Sequence, residues 1–336
     1  MSRRLSLRVP FQTALLSLFI VLSVGGTDAL EKFPVLHSSV SGSQAVLFVT
    51  RDARIFEKHG LDVEIRFVAG GPIVIQALLA GDAHAVVAAG PAAVAAKLKG
   101  ADTAIIMGLV HTLEHTLFAQ PNIKRPEDLR GKKVAIARFG ALDDSALRFA
   151  FQKWGIPEKE VAFVQFGEQG SRLAALKAGG VDAILIQPPL TAVARKGGLT
   201  ELAALADLEI DYLGTSVITT QTLIKNREDQ LRRFVRAFVE GIHFYKTNKT
   251  ASLASIARFM RLEDPEALEE TYRQYALKLT PRAPYPTVKG IKTILDELGR
   301  KDPKASAANP SDFAEPRFVR ELDESGVIKT LYGLSR

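Results

Sequence analysis

Two periodicities alternate along this chain. Short apolar runs at residues 63–68 and 161–166 read as strands. Each gives way to a glycine turn, Gly70-Gly71 in the first case and Gly167 to Gly170 in the second. A stretch with an apolar face at helical spacing follows, ending at Gly81 or Gly179, where glycine tolerates the left-handed backbone of a helix C-terminus. Second strands are predicted at residues 84–87 and 182–186. A further turn then leads to Pro91 or Pro189, each suited to the first position of a new helix.

The two passages are copies of one pattern. Ala77-Leu78-Leu79-Ala80-Gly81-Asp82-Ala83-His84-Ala85-Val86 aligns with Ala175-Leu176-Lys177-Ala178-Gly179-Gly180-Val181-Asp182-Ala183-Ile184 at an offset of 175 − 77 = 98, with five of ten positions identical. The alignment continues ungapped to Pro91 on Pro189 and Ala96 on Ala194. A strand-helix-strand order used twice implies two α/β lobes, each with a parallel sheet and right-handed crossovers. Residues 44–53 read as a helix after a loop at 37–43, residues 128–136 as a turn into the second lobe's first strand, and residues 144–154 as the helix behind it. Residues 227–246 form a long amphipathic helix, with Leu231, Phe234, Val235, Phe238, Val239 and Ile242 on one face. The last third reads as mainly helical and packs back on the first lobe, with residues 301–316 an irregular surface segment.

The N-terminus changes where the protein is expected to work. Arg3, Arg4 and Arg8 precede an apolar run at residues 14–24 and then Gly25, Gly26, Thr27 and Ala29, the order of a secretory signal peptide. The run is short of the roughly 20 residues that span a bilayer, and no cysteine follows it to carry a lipid. The expected organisation is a signal peptide over 1–27, a first lobe over 28–119 and 221–336, and a second lobe over 120–220. Of the formal +7 charge, three come from the signal arginines, leaving 7 − 3 = +4. Charges of both signs are interspersed, with no basic block carrying aromatics, so nucleic acid is an unsupported partner. Without cysteine, a secreted chain must hold its lobes by core packing alone.

In open parallel sheets, ligands sit beyond the carboxyl ends of the strands, where helix N-termini offer unpaired N–H groups. The repeat pairs Gly70 and Gly71 with Glu168 and Gln169, and Gly90 with Pro188 beside Gln187. The turns after each lobe's first strand add Ser41 and Gly42 in one lobe, and Gly140, Ala141 and Asp143 in the other. Thr215 completes this candidate set. His111-Thr112-Leu113-Glu114-His115 fits an H-x-x-E-H zinc motif, which requires both histidines on one helix face. Strand-like flanks on both sides argue instead for a segment passing between lobes, with His111, Thr112 and Glu114 lining the cleft. Metal hydrolysis by His111, Glu114 and His115 is the enzyme alternative. No nucleophile elbow or phosphate loop occurs.

Four motifs carry a family resemblance: Phe56-Glu57-Lys58-His59-Gly60-Leu61-Asp62-Val63-Glu64, Ala80-Gly81-Asp82, Asp128-Leu129-Arg130-Gly131-Lys132-Lys133-Val134 and Gly180-Val181-Asp182-Ala183. Across residues 33–300 the chain resembles the periplasmic substrate-binding proteins of ABC transporters in the nitrate, sulfonate, taurine and thiamine-precursor group. Arg54 departs from a frequent family glycine and His84 from the usual aspartate, and the cysteine motif of the fungal pyrimidine-synthesising relatives is missing. The resemblance implies a type II periplasmic-binding fold, with a central cleft and two hinge crossovers placed near 119–121 and 219–221. It implies a monomeric, non-enzymatic, cofactor-free receptor that delivers a small ligand to a membrane permease and its ATPase. A TRAP-type carrier or a sensor is the alternative partner. The ligand is left open among anion, zwitterion and heterocycle.

Overall fold

The computed structural model describes residues 29–334, so the signal segment read over 1–27 lies outside it. In chain order the first elements are β1 (Glu31–His37), α1 (Ala45–Asp52), α2 (Ile55–Lys58), β2 (Leu61–Phe67), α3 (Gly71–Leu79), β3 (Ala85–Ala89), α4 (Gly90–Leu98) and β4 (Thr103–Gly108). The second set is β5 (Thr116–Ala119), β6 (Lys133–Ile136), α5 (Leu142–Lys153), β7 (Ala162–Gln165), α6 (Gln169–Lys177), β8 (Ala183–Ile186), α7 (Leu190–Lys196) and β9 (Thr200–Ala204). The chain then returns through β10 (Thr215–Thr220) to α8 (Gln221–Asn226), α9 (Glu228–Thr247), α10 (Lys249–Met260), α11 (Pro265–Tyr272) and α12 (Val288–Leu298).

The repeated elements form as the spacing predicts. Gly81 and Gly179 follow α3 and α6 with φ of +90° and +74°, values that suit glycine because a Cβ would crowd the backbone there. The strands form two five-stranded sheets, ordered β2-β1-β3-β10-β4 and β7-β6-β8-β5-β9. The sheets are mixed rather than parallel. β10 runs antiparallel between β3 and β4, and β5 runs antiparallel between β8 and β9.

That pairing also moves the lobe boundaries. β5 was expected in the first lobe, but it hydrogen-bonds to β8 and so belongs to the second sheet. β10 was expected in the second lobe, but it hydrogen-bonds to β3 and β4. The crossovers are therefore residues 109–115 and 205–214, not 119–121 and 219–221. The physical reason is that sheet membership follows the hydrogen-bonding partner, and both strands pair with the lobe they enter.

The core of the first lobe stacks Phe33 against Phe234 at 4.6 Å and Phe56 against Phe234 at 5.3 Å, which fixes α9 on the sheet. Ser255 and Arg258 of α10 tie to Asp52 of α1. The stretch 301–316 is more ordered than expected: Ala305 and Phe313 are buried, and Ala314 bridges to Ile105 of β4. On the surface, Lys196 of α7 reaches Asp264 at 2.7 Å and Lys301 reaches Glu158 at 3.2 Å, so ion pairs link the two lobes on both flanks. Among the described residues, no helix is long and apolar enough to cross a membrane.

Candidate functional site

The carboxyl ends of β1, β3, β6, β7 and β8 converge on one crevice between the lobes. The antiparallel strands contribute their amino ends at the same edge, which is how the crossovers deliver His115, just before β5, and Thr215, the first residue of β10. A cavity of about 60 Å³ lies there, small beside the roughly 300–1,000 Å³ clefts that hold drug-sized molecules. A larger hollow of about 520 Å³ is lined by Lys58, Arg236 and Leu331 on the outer face. None of its lining residues follows the carboxyl end of a strand, so the crevice is the better candidate.

Nine residues of the predicted set line this cavity: Ser41, Gly70, Gly71, Ala141, Asp143, Glu168, Gln169, Gln187 and Thr215. Six do not. Gly42 is turned into the core, where an added Cβ would overlap the Tyr275 ring and the Thr271 methyl. Gly90 permits the start of α4 to approach the Leu213 carbonyl, 2.6 Å from a built Cβ. Gly140 sits at the rim against Pro72. His111 packs over Gly108, and the Thr112 carbonyl lies against Gly214, so both serve the crossover rather than the cleft. Glu114 is buried one layer behind, accepting a hydrogen bond from Gln187 Nε2 through Oε1, with Oε2 unpartnered. The H-x-x-E-H segment is not helical, so its histidines share no face. Among the described residues, no group of three His, Cys, Asp or Glu is placed to hold a metal.

Replacing Gly42 by alanine is expected to destabilise the protein by about 1–3 kcal/mol through overpacking. A lowered urea midpoint with an unchanged slope would register it.

Sequence reasoning missed much of the wall. Ser38, Ser43, Gln44 and Ala89 line the first-lobe side and His115, Ala137 and Arg172 the second, while Ser39 and Leu142 come from the turns expected to face the cleft. The serine wall is pre-organised: Gln44 Nε2 donates to Ser38 Oγ at 3.0 Å, Ser39 N–H donates to Gln44 Oε1 at 3.3 Å, and the Ser41 and Ser43 hydroxyls lie 3.0 Å apart. Arg172 is 2% exposed and pairs with Asp143, itself 3% exposed, at 2.8 Å. Its Nη1 also donates to the Gly167 carbonyl at 2.7 Å and Nη2 to that of Leu185 at 3.2 Å. Asp143 Oδ2 accepts the Ala137 N–H at 2.6 Å. Two glutamines interlock beside this pair, Gln187 N–H donating to Gln169 Oε1 at 2.7 Å. A signal for Arg172 existed: at the repeat offset it occupies the place of Val74, on the inward face of α3.

Burial sets the protonation of the titratable groups. It pushes Glu114 up to about 8, so that carboxyl is largely protonated near neutral pH. Burial first, and Arg172 second, push His115 down to about 3, leaving a neutral imidazole. Glu168 is raised by burial as well, although Val40 N–H, reaching across from the other lobe at 3.3 Å, and Arg172 both oppose the shift. The crevice can thus offer hydroxyls, amides, helix N-terminal N–H groups and carboxylate oxygens to a small polar molecule.

Residues 43–251, more than half of the chain, match the family described as NMT1/THI5 like. A protein from Brucella abortus (strain 2308) is 26% identical over 222 residues, covering 65% of this chain and 68% of its own. The taurine-binding periplasmic protein of Escherichia coli (strain K12) is 24% identical over 192 residues, covering 56% of this chain and 58% of its own. The alkanesulfonate-binding protein SsuA from Xanthomonas axonopodis pv. citri, solved with MOPS bound, superposes with a TM-score of 0.69 at 17% identity, covering 84% of this chain and 96% of that one. At that identity the likeness shows a shared periplasmic-binding-protein fold.

Proposed function

The chain belongs to the NMT1/THI5 like family, and from that premise we propose that it is a periplasmic receptor that captures a small polar solute for an ABC-type importer. The single observation that carries this reading is the crevice between two sheets, lined from both lobes and crossed by the hydrogen bond from Val40 N–H to Glu168 Oε2. Such a bridge couples lobe closure to whatever fills the crevice. The signal-like N-terminus and the periplasmic taurine-binding relative support a periplasmic location, and a permease with its ATPase is the partner this reading implies. In this reading the protein performs no chemistry: closure presents both lobes, with solute enclosed, to the transporter.

Solute binding is expected to raise the melting temperature. A ligand that binds only the folded form adds about 2.7 kcal/mol at a hundred times its Kd. Thermal-shift measurements across anionic, zwitterionic and cationic solutes test this. No shift with any member of such a panel would count against the receptor reading.

A further inference from the structure

Resting on the receptor reading, we propose that the captured solute carries a positively charged nitrogen, and that Glu168 is the residue that holds it. The inference comes from the charges on the cavity wall. Three charged side chains line it: Asp143, Glu168 and Arg172. The only cation of the three is already committed, with Nη1 on Asp143 and the Gly167 carbonyl and Nη2 on the Leu185 carbonyl, while Nε is buried without a partner. Arg172 and Asp143 therefore cancel within the wall. Arg138 stands outside it, its stem folded over Gly70 and its Nε donating to the Ala69 carbonyl at 3.2 Å.

His115 adds no positive charge, because burial keeps its imidazole neutral. What remains is one carboxylate, Glu168, at the N-cap of α6. Its recorded hydrogen bond is the 3.3 Å contact from Val40. The repeat sharpens this reading: the first lobe places Gly70 at the equivalent position, so the acid is specific to one side of the crevice.

A bare anion entering the crevice would meet an uncancelled like charge in a partly buried place. A cationic nitrogen would meet an ionised partner whose burial is otherwise unfavourable. On the opposite wall, Ser38 Oγ accepts from Gln44 and so keeps its own O–H to donate, as does Ser39, to the solute's oxygens; the two ends of the molecule are thus told apart by opposite walls.

Matched pairs test the inference, by isothermal calorimetry on the whole exported chain: taurine against ethanesulfonate, β-alanine against propionate, and ethylamine and guanidine against nitrate, within a wider panel built the same way. Binding confined to the nitrogen-bearing members, falling about a hundredfold in Glu168→Gln, is the expected result. Binding of ethanesulfonate, propionate or nitrate in preference to their partners would overturn the inference while leaving the receptor reading intact. So would tighter anion binding by Glu168→Gln, which would mark Glu168 as an internal competitor instead. Failure of every class would sink the receptor reading itself. A second measurement needs no variant: on the wild-type chain, binding of a cationic hit should weaken on acidification as Glu168 takes up a proton, whereas strengthening would refute the assignment.

Discussion

Arg172→Met is expected to lower the unfolding free energy by about 3–5 kcal/mol, because it strands Asp143 as an unpaired buried charge. Both side chains are almost wholly enclosed, so bulk solvent does little to screen the charge left behind. Asp143 would keep its bonds from Ala137 N–H and Asp144 N–H, which soften the loss without neutralising the charge. The double variant Arg172→Met with Asp143→Leu should recover most of the stability, since exchanging a whole buried pair for apolar groups is often neutral or better. Urea denaturation of the two single variants and the double variant closes the cycle. A cost below about 1 kcal/mol for Arg172→Met would show that the pair is not structural.

The second large effect is a pH profile. Glu114 has a folded value of about 8 against an ordinary 4.5, and Glu297, raised by burial and by Asp144, one of about 7. Both are raised acids, so their contribution is fully present below 4.5 and is lost progressively as pH rises from 4.5 to the folded values of about 7 and 8. Buried histidines act with the opposite sign. His115 is pushed from 6.5 to about 3, and His37 and His111 are lowered by burial too. Their contribution is present above 6.5 and lost as pH falls. The two slopes oppose each other between 4.5 and 6.5, so stability should form a plateau there and fall on either side.

On the alkaline side, Glu114→Gln should remove up to about 4 kcal/mol of the loss by pH 9. Adding Glu297→Gln should flatten that limb further. Guanidinium midpoints at pH 5.5, 7 and 9 measure both. An unchanged alkaline limb in Glu114→Gln would mean that its carboxyl ionises freely in the folded protein.

The two-lobed plan was legible because it is written twice, in Ala77-Leu78 through Val86 and in Ala175-Leu176 through Ile184. The antiparallel strands were not, because they lie beyond the end of the repeat. Nothing in Thr116–Ala119 or Thr215–Thr220 states which sheet receives it; a short apolar strand fits either until its hydrogen-bonding neighbours are known. The same holds for the cavity. Turn residues such as Gly70, Gly71, Gln169 and Gln187 follow from strand ends, which periodicity marks. Arg172 lies within a helix rather than at a strand end, and His115 comes from the crossover. Gly42 and Gly90 illustrate the converse: glycines beside a cleft that serve close packing.

The position of β10 has a consequence for how the chain is assembled. It fills the gap between β3 and β4, yet it is made only after the whole second sheet. Until residues 215–220 emerge, the first sheet is two fragments with open edges, β3 on one side and β4 on the other, while residues 116–204 already contain every strand of their own sheet. The later lobe is thus the one able to mature first during vectorial synthesis or export, and the earlier one must wait with its hydrogen-bonding edges exposed. That waiting period, rather than any weakness of the finished fold, is where a stalled or truncated chain would be caught by chaperones.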